Sequence, residues 1–440
     1  MLVSIVVIGN YVPTFCLTVN QPTHRDSGAC GNSDQVYASD TTLMRGHGAP
    51  THFRLMTSRY VAMVQAVRGY HCTGTVTVGF DGHDYLQTGR GDNLGIMELI
   101  PTASRFIGRP LADTYDILIF AVISSGLLIG YAGFWNLYPD RQLRGIGAAV
   151  FLCLGIAEAT VADEYLFQIS PLIAGIPWLL HFGLKRKPFA LTTSGVLLAF
   201  CCSWCSLVRT GTLAICMTFL LTMFVVRCRI QKPFLPILLI VLACVPSGLF
   251  ERSLIAHRDI ALAKVGATAT AMNGRPMWHT AYIGLGFIPN SEVSEYRDEV
   301  AYEKVRSIDP TAAYNSQKYE AILRREMWSI VKRRPMLVIC VLAAKAGIVI
   351  LLGLILLYPA RRLMFAERAV FWFDAAFVLT MGMSAMNAIA AVPRPRYLLT
   401  FLCLAFLYSS IKLCREREIS KRERPAVAET AFTSTLHKKV

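Results

Sequence analysis

The chain has 440 residues, 54% of them hydrophobic and only 17% charged, with a formal net charge of +15 and a mean hydropathy of +0.45. A soluble protein of this length carries charge on about a quarter of its residues, so the composition excludes an ordinary soluble enzyme. Several runs of roughly 17 to 23 residues hold almost no charge, enough to cross a hydrocarbon core about 30 Å thick. They exclude a barrel of short alternating strands and point to an all-α polytopic membrane protein.

Hydropathy predicts about ten transmembrane helices, at 3–19, 116–137, 144–161, 169–183, 189–208, 210–226, 234–250, 336–358, 369–391 and 396–413. The first is the weakest, broken by Asn10 and Pro13, and no basic segment precedes it as a cleaved signal peptide requires. The resulting organisation is a first span (1–19), a first outer loop (20–115), spans two to seven (116–250), a second large outer loop (251–335), spans eight to ten (336–413) and a basic tail (414–440).

Arg141 and Arg144, Lys185-Arg186-Lys187, Arg227 with Arg229 and Lys232, Arg361 with Arg362 and Arg368, and the tail "REREISKRER" occupy every second connection. That side is expected to be cytoplasmic and to hold both termini. The net positive charge therefore reads as topology, not as a nucleic-acid surface. The other side receives the two long loops, the acidic "ADEYLFQ" at 162–168, the turn near Arg209 and "PRPRY" at 393–397. Loops of such length are functional or disordered; their aromatics, Gly and Pro without low complexity predict folded structure with short helices. Within the second, "YEAILRREMWSIVKRRP" puts Tyr319, Ile322, Leu323, Met327 and Ile330 on one stripe, which predicts an amphipathic helix along the interface leading into the eighth span.

Most of the thirteen cysteines lie in apolar runs, where they act as small hydrophobes, and no CxxC pair has metal spacing. Cys30 and Cys72 fall in the first outer loop, where they are free to pair or not.

Chemistry is sought among ionisable residues at the outer ends of spans. In the first loop, "GFDGHDYLQTGRGDNLGIMELIP" supplies Asp81, His83, Asp84, Asp92 and Glu98. Its second half reads as a turn followed by a helix start, with Asp92 or Asn93 at the N-cap. Asp92 is then either an acidic cap or a general base held by a glycine-flanked turn. Asp163 and Glu164 are adjacent, with Glu158 about a turn or more earlier, close to the membrane boundary where a lone charge needs a partner or a purpose. Successive helical residues point about 100° apart, so if the segment is helical the two cannot aim at one atom, and one is expected to face a cavity while the other caps.

Arg394 and Arg396 in "PRPRYLL" are either interfacial anchors, with Tyr397 in the aromatic belt, or the holders of a lipid phosphate, for which arginine is suited. Only the second reading explains two arginines on the outer side. Lys345, inside the eighth span, adds a further positive charge facing the bundle. In "GRPMWHTAYIGLGFIPN", Trp278 and Tyr282 stand at i, i+4 around His279. His279 reads first as a satisfied structural histidine, and the cluster second as a sugar or headgroup site. No GxxxxGK[ST], GxGxxG, HExxH or GxSxG pattern is present.

Three of these motifs together resemble the GT-C class of integral-membrane glycosyltransferases: "GRGDNLGIMELIP" in the first outer loop, "ADEY" in the next, and "PRPRYLL" opening a late span. "RPMWHTAYIGLGFIPN" with the downstream "YEAILRREMWSIVKRRPMLVICVLAAK" looks like the late outer loop of a bacterial subgroup. The resemblance implies transfer of a hexosyl or pentosyl unit from a polyprenyl-phosphate-linked sugar donor to a glycan, lipid or protein acceptor, in cell-envelope polysaccharide biosynthesis. The enzyme would sit in a bacterial inner membrane, among membrane lipids and with its active site periplasmic. It implies Asp92 as base, Asp163 or Glu164 as a second acid that orients the acceptor or a divalent metal ion, Arg394 and Arg396 on the departing phosphate, and His279 and Trp278 lining the cleft. The chain departs from the class in showing Asp92-Asn93 where two acids are common, and in the length of its first loop. Three other functions remain open: a polysaccharide polymerase or ligase using lipid-linked sugars, which depends less on first-loop carboxylates; a transporter, for which no internal repeat is found; and a non-catalytic assembly protein.

Overall fold

The computed structural model describes residues 57–80, 84–88, 94–161, 163–227, 234–267 and 276–436. The expected first span at 3–19, Cys30 and Asp92 lie outside the described residues. The first element among the described residues is a helix, α1 (Thr57–Thr73), followed by an antiparallel hairpin of β1 (Val78–Phe80) and β2 (Tyr85–Gln87), in which Val78 pairs with Gln87. Next comes α2 (Leu94–Ile107), whose start at Leu94 matches the helix start expected of "GRGDNLGIMELIP"; the turn expected before it lies outside the described residues.

Six helices then follow on short connections: α3 (Leu111–Leu137), α4 (Arg141–Val161), α5 (Leu166–Leu184), α6 (Pro188–Val208), α7 (Thr212–Arg227) and α8 (Phe234–Lys264). The segment expected as the second large loop holds three short helices, α9 (Met277–Gly284), α10 (Asp298–Ile308) and α11 (Gln317–Arg333). The bundle closes with α12 (Pro335–Leu357), α13 (Phe371–Ala390) and α14 (Pro395–Leu436).

Among the described residues, eight helices are long and apolar enough to cross a membrane. They coincide with eight of the ten expected spans. α7 is apolar but has only 16 residues, about 24 Å of helix, because the chain turns through Gly211 at φ +90° before it starts. α8 differs from expectation in the other direction. It runs to Lys264, not 250, because Leu254, Arg258, Ala261 and Leu262 recur at helical spacing and are buried, Ala261 and Leu262 against Val78 of the hairpin.

The centre of the bundle is α5, where Leu166, Ile169, Leu172, Ile173, Ile176 and Leu179 have no exposed surface. It packs along α3, and the fit depends on small residues. A Cβ added at Gly126 would stand 2.9 Å from Ser170, and at Gly133 2.8 Å from Trp178, while at Gly130 it would strike the Ile173 carbonyl. Glycines four and then three residues apart let two helices approach closely where lipid supplies no hydrophobic drive between them. The outer faces carry the apolar surface that bilayer contact requires: Phe120, Leu128, Leu152, Leu235, Leu249, Ile350 and Leu354 are all more than half exposed.

α9 to α11 form a small subdomain with its own core of Tyr282, Ile283, Leu285, Val293, Ala301, Val305, Tyr319, Leu323 and Ile330. This corrects the expected orientation of the amphipathic helix. The stripe Tyr319, Ile322, Leu323, Met327 and Ile330 faces this core, with Met327 at its edge, and not a membrane interface. Burial against α9 and α10 removes that stripe from water without lipid.

A candidate active site at one end of the bundle

The turn between α4 and α5 brings the acidic pair into the structure. Asp163 accepts a hydrogen bond from the Glu164 backbone N–H onto Oδ1 at 2.7 Å and so caps its own turn. Glu164 turns the other way, into the bundle, where Arg209 Nη1 donates to its Oε1 at 3.5 Å. Both side chains are almost fully buried. One acid caps and the other pairs inside the bundle, both placed by the turn that precedes α5.

Arg209 was visible in the sequence only as a cation in the shortest outer turn, "LVRTGT". Its guanidinium carbon lies 3.6 Å from the centre of the Tyr165 ring, stacked on its face. Tyr165 in turn meets Tyr397 edge-on, with ring centres 5.4 Å apart. This aromatic contact joins "ADEY" to "PRPRY", two motifs separated by most of the bundle's sequence. Arg396 lies 5.0 Å over the Tyr397 ring, and Arg394 5.0 Å over that of Tyr296. The Tyr296 and Tyr397 hydroxyls meet at 3.2 Å. Burial first, and then the neighbouring Tyr397, hold the Tyr296 phenol well above its usual range, so it stays a neutral hydroxyl.

Lys345 is buried at the same end. Its Nζ donates to the Ala391 carbonyl at 2.7 Å, two residues before Pro393 opens the arginine motif. The subdomain closes on this point: a Cβ on Gly284 would lie 2.5 Å from the Ala390 carbonyl and 3.0 Å from Lys345 Nζ. Lys345 thus secures the backbone that presents Arg394 and Arg396.

The first-loop motif arrives from another direction. α2 packs on α6 so tightly that a Cβ on Gly95 would strike the Leu207 carbonyl, two residues before Arg209. Asp92 lies outside the described residues, but the helix that follows it begins against the Arg209 turn. In this helix Glu98 has an enclosed Oε2 without a hydrogen-bond partner among the described residues. Burial pushes its carboxyl up to about 7. Glu158, in α4, accepts from Ser170 Oγ at 2.7 Å, the partner its depth demanded.

His279, Trp278 and Tyr282 sit elsewhere, in the subdomain. His279 is buried, with Nδ1 2.7 Å from the Tyr319 hydroxyl and Nε2 3.0 Å from Asp298 Oδ1. The Tyr302, Tyr314 and Tyr319 rings enclose it. The Trp278 and His279 backbone N–H groups both donate to Glu320, at 2.8 and 3.0 Å, tying the start of α9 to α11. Tyr282 donates to the Glu292 carbonyl at 3.3 Å and fills the subdomain core. None of the three is brought to the carboxylate–arginine cluster. The satisfied structural histidine is the reading this geometry matches.

Glu164 is engaged by Arg209 and Asp163 by its own turn, and no group of three His, Cys, Asp or Glu side chains is placed to hold an ion among the described residues.

The assembled arrangement offers carboxylates, stacked guanidinium groups and phenols at one end of an apolar bundle, the components for binding a polar group carried on a lipid. No protein-family model, curated protein or solved structure matches this chain, so its likeness to the GT-C class rests on the motifs alone.

Proposed function

We propose that this protein is a membrane glycosyltransferase that moves a sugar from a polyprenyl-phosphate carrier to a glycan, lipid or protein acceptor. The observation that carries the reading is the Tyr165–Tyr397 contact at 5.4 Å, which draws the acidic pair and the arginine motif to one end of the bundle. The acceptor hydroxyl attacks the anomeric carbon and its proton passes to a carboxylate, with Asp92 the base and Asp163 orienting the acceptor. The bond from the anomeric carbon to the phosphate oxygen breaks, and the polyprenyl phosphate leaves with an added negative charge that Arg394 and Arg396 neutralise. Such a leaving group is already activated, so a base, cations and an amphipathic cleft suffice. Under this reading the site faces the periplasm of a bacterial inner membrane and both termini are cytoplasmic.

Transfer of radiolabelled sugar from a polyprenyl-phosphate donor pool to endogenous membrane acceptors tests it. Wild type is compared with Asp92→Asn and Arg396→Ala at equal expression, and both variants are expected to lose the label. Transfer that survives Asp92→Asn and Asp163→Asn alike would favour a polymerase or ligase. Solute flux without transfer from any pool would replace the enzyme with a transporter.

A further inference from the structure

The face of α11 opposite its buried stripe is a groove of about 530 Å³ lined by Ala321, Arg324, Arg325, Trp328, Ser329 and Lys332. Trp328 is 53% exposed, a large apolar surface to leave in water.

Apart from Arg306 in α10, the charges around it are unlike the other cations of the subdomain. Lys304 pairs with Glu326, Lys318 with Asp309, and Arg333 and Arg334 both with Glu292. Arg324, Arg325 and Lys332, which flank Trp328, have no acidic partner among the described residues. These three cations line one face of α11 over just over two turns of helix with no counter-charge among the described residues, and an anion bound among them supplies it.

The position specifies the anion's source. The helix breaks at Arg334 (φ −137°, ψ 60°), and Pro335 opens α12, one of the membrane-crossing helices. The next residues display lipid-facing side chains at once: Met336 is 65% exposed and Ile339 55%. The groove therefore adjoins the polar edge of a span, where tryptophan partitions with its ring at headgroup depth. Arginine binds phosphate oxygens through two parallel N–H donors, and the stems of Arg and Lys lie along apolar surface while their heads reach the phosphates. A soluble polyanion has no use for the exposed indole or for the apolar wall beside it.

We propose that the Arg324–Arg325–Trp328–Lys332 face of α11 binds the headgroup of an anionic phospholipid and seats the subdomain on the membrane surface. This rests on the membrane-spanning character of the chain and not on glycosyl transfer, so either can fail alone.

The test is tryptophan quenching in the full-length protein reconstituted into vesicles of phosphatidylcholine. A minority lipid brominated near the headgroup is added as phosphatidylglycerol or as phosphatidylcholine. Subtracting the Trp328→Phe signal isolates the Trp328 component. That component is expected to be quenched at least twofold more by the anionic brominated lipid. The excess should vanish in Arg324→Gln/Arg325→Gln/Lys332→Gln and persist in Arg324→Lys/Arg325→Lys, which keeps the charge and controls for folding. Equal quenching by both lipids, or an excess that survives the triple glutamine variant, overturns the proposal. So does protection of Trp328 by soluble polyphosphate in neutral vesicles without preference for the anionic lipid, which would make the occupant a free polyanion.

Discussion

Glu164 and Arg209 meet at 3.5 Å inside the bundle, both nearly without exposed surface. Both charges are removed from water, so their pairing contributes to holding each in the charged form. Arg209→Ala is expected to destabilise the protein by roughly 3–5 kcal/mol, because it removes the cation beside the buried Glu164 carboxylate and the stack on Tyr165. Glu164→Gln should cost less, since the amide still accepts from the guanidinium. The double variant should cost less than the sum of the two by about 1 kcal/mol or more. Thermal unfolding of the four proteins in one detergent measures the cycle; strict additivity would show that the pair carries no coupling.

Glu98 makes stability depend on pH. The folded protein retains its proton up to about pH 7, whereas the carboxyl's ordinary value is 4.5. Between those two values the folded state binds more protons than the unfolded chain, so stability falls as pH rises and levels off above 7. Glu98→Gln should flatten this slope and leave the variant more stable at pH 8 by up to roughly 3 kcal/mol. Unfolding midpoints measured at intervals from pH 4.5 to 8 decide it. An unchanged slope would mean that Glu98 ionises freely.

The subdomain meets the bundle where Gly284 faces the Ala390 carbonyl and Lys345. Gly284→Ala should push the two apart and, through Lys345, disturb the arginine motif, lowering label transfer at least tenfold. Gly248→Ala in α8, where an added Cβ meets nothing within 4 Å, should leave transfer unchanged. Equal activity in the two variants would show that the interface yields without effect on the site.

Much of the bundle was legible because a bilayer forces apolar residues into runs of fixed length. That rule finds α3 to α6 and α12 to α14, and it undercounts where helices outrun the membrane. The fourteen residues by which α8 continues past 250 are amphipathic, so hydropathy drops although the helix persists. In the candidate site, the adjacent acids and the two outer arginines announced themselves by being charged in unexpected places. Their meeting did not, because Tyr165 and Tyr397 are distant in sequence and no local periodicity links them. Arg209 passed as a turn residue for the same reason: its role comes from what α4 and α5 put beside it. His279 drew notice for its aromatic neighbours, but those neighbours prove to be its packing, since Tyr302, Tyr314 and Tyr319 come from later in the subdomain.

α14 carries Arg396 and Tyr397 in its first turn, and further along it is pinned by three acids, two from connections between helices and one from the first turn of α13. Lys412 binds Asp374 at 3.1 Å, Arg415 binds Glu367 at 2.8 Å and Lys421 binds Asp140. The Tyr408 hydroxyl adds a fourth tie, donating to Asp374 at 2.9 Å. A straight helix is stiff in twist, so whatever fixes its azimuth at one end fixes it along the whole rod. Slipping by a single residue would turn the helix by about 100° and slide it about 1.5 Å, carrying Tyr397 off the Tyr165 ring. The polar bolts at one face of the protein therefore set the aim of the arginine–tyrosine motif about 22 Å away, and the two faces are mechanically one part.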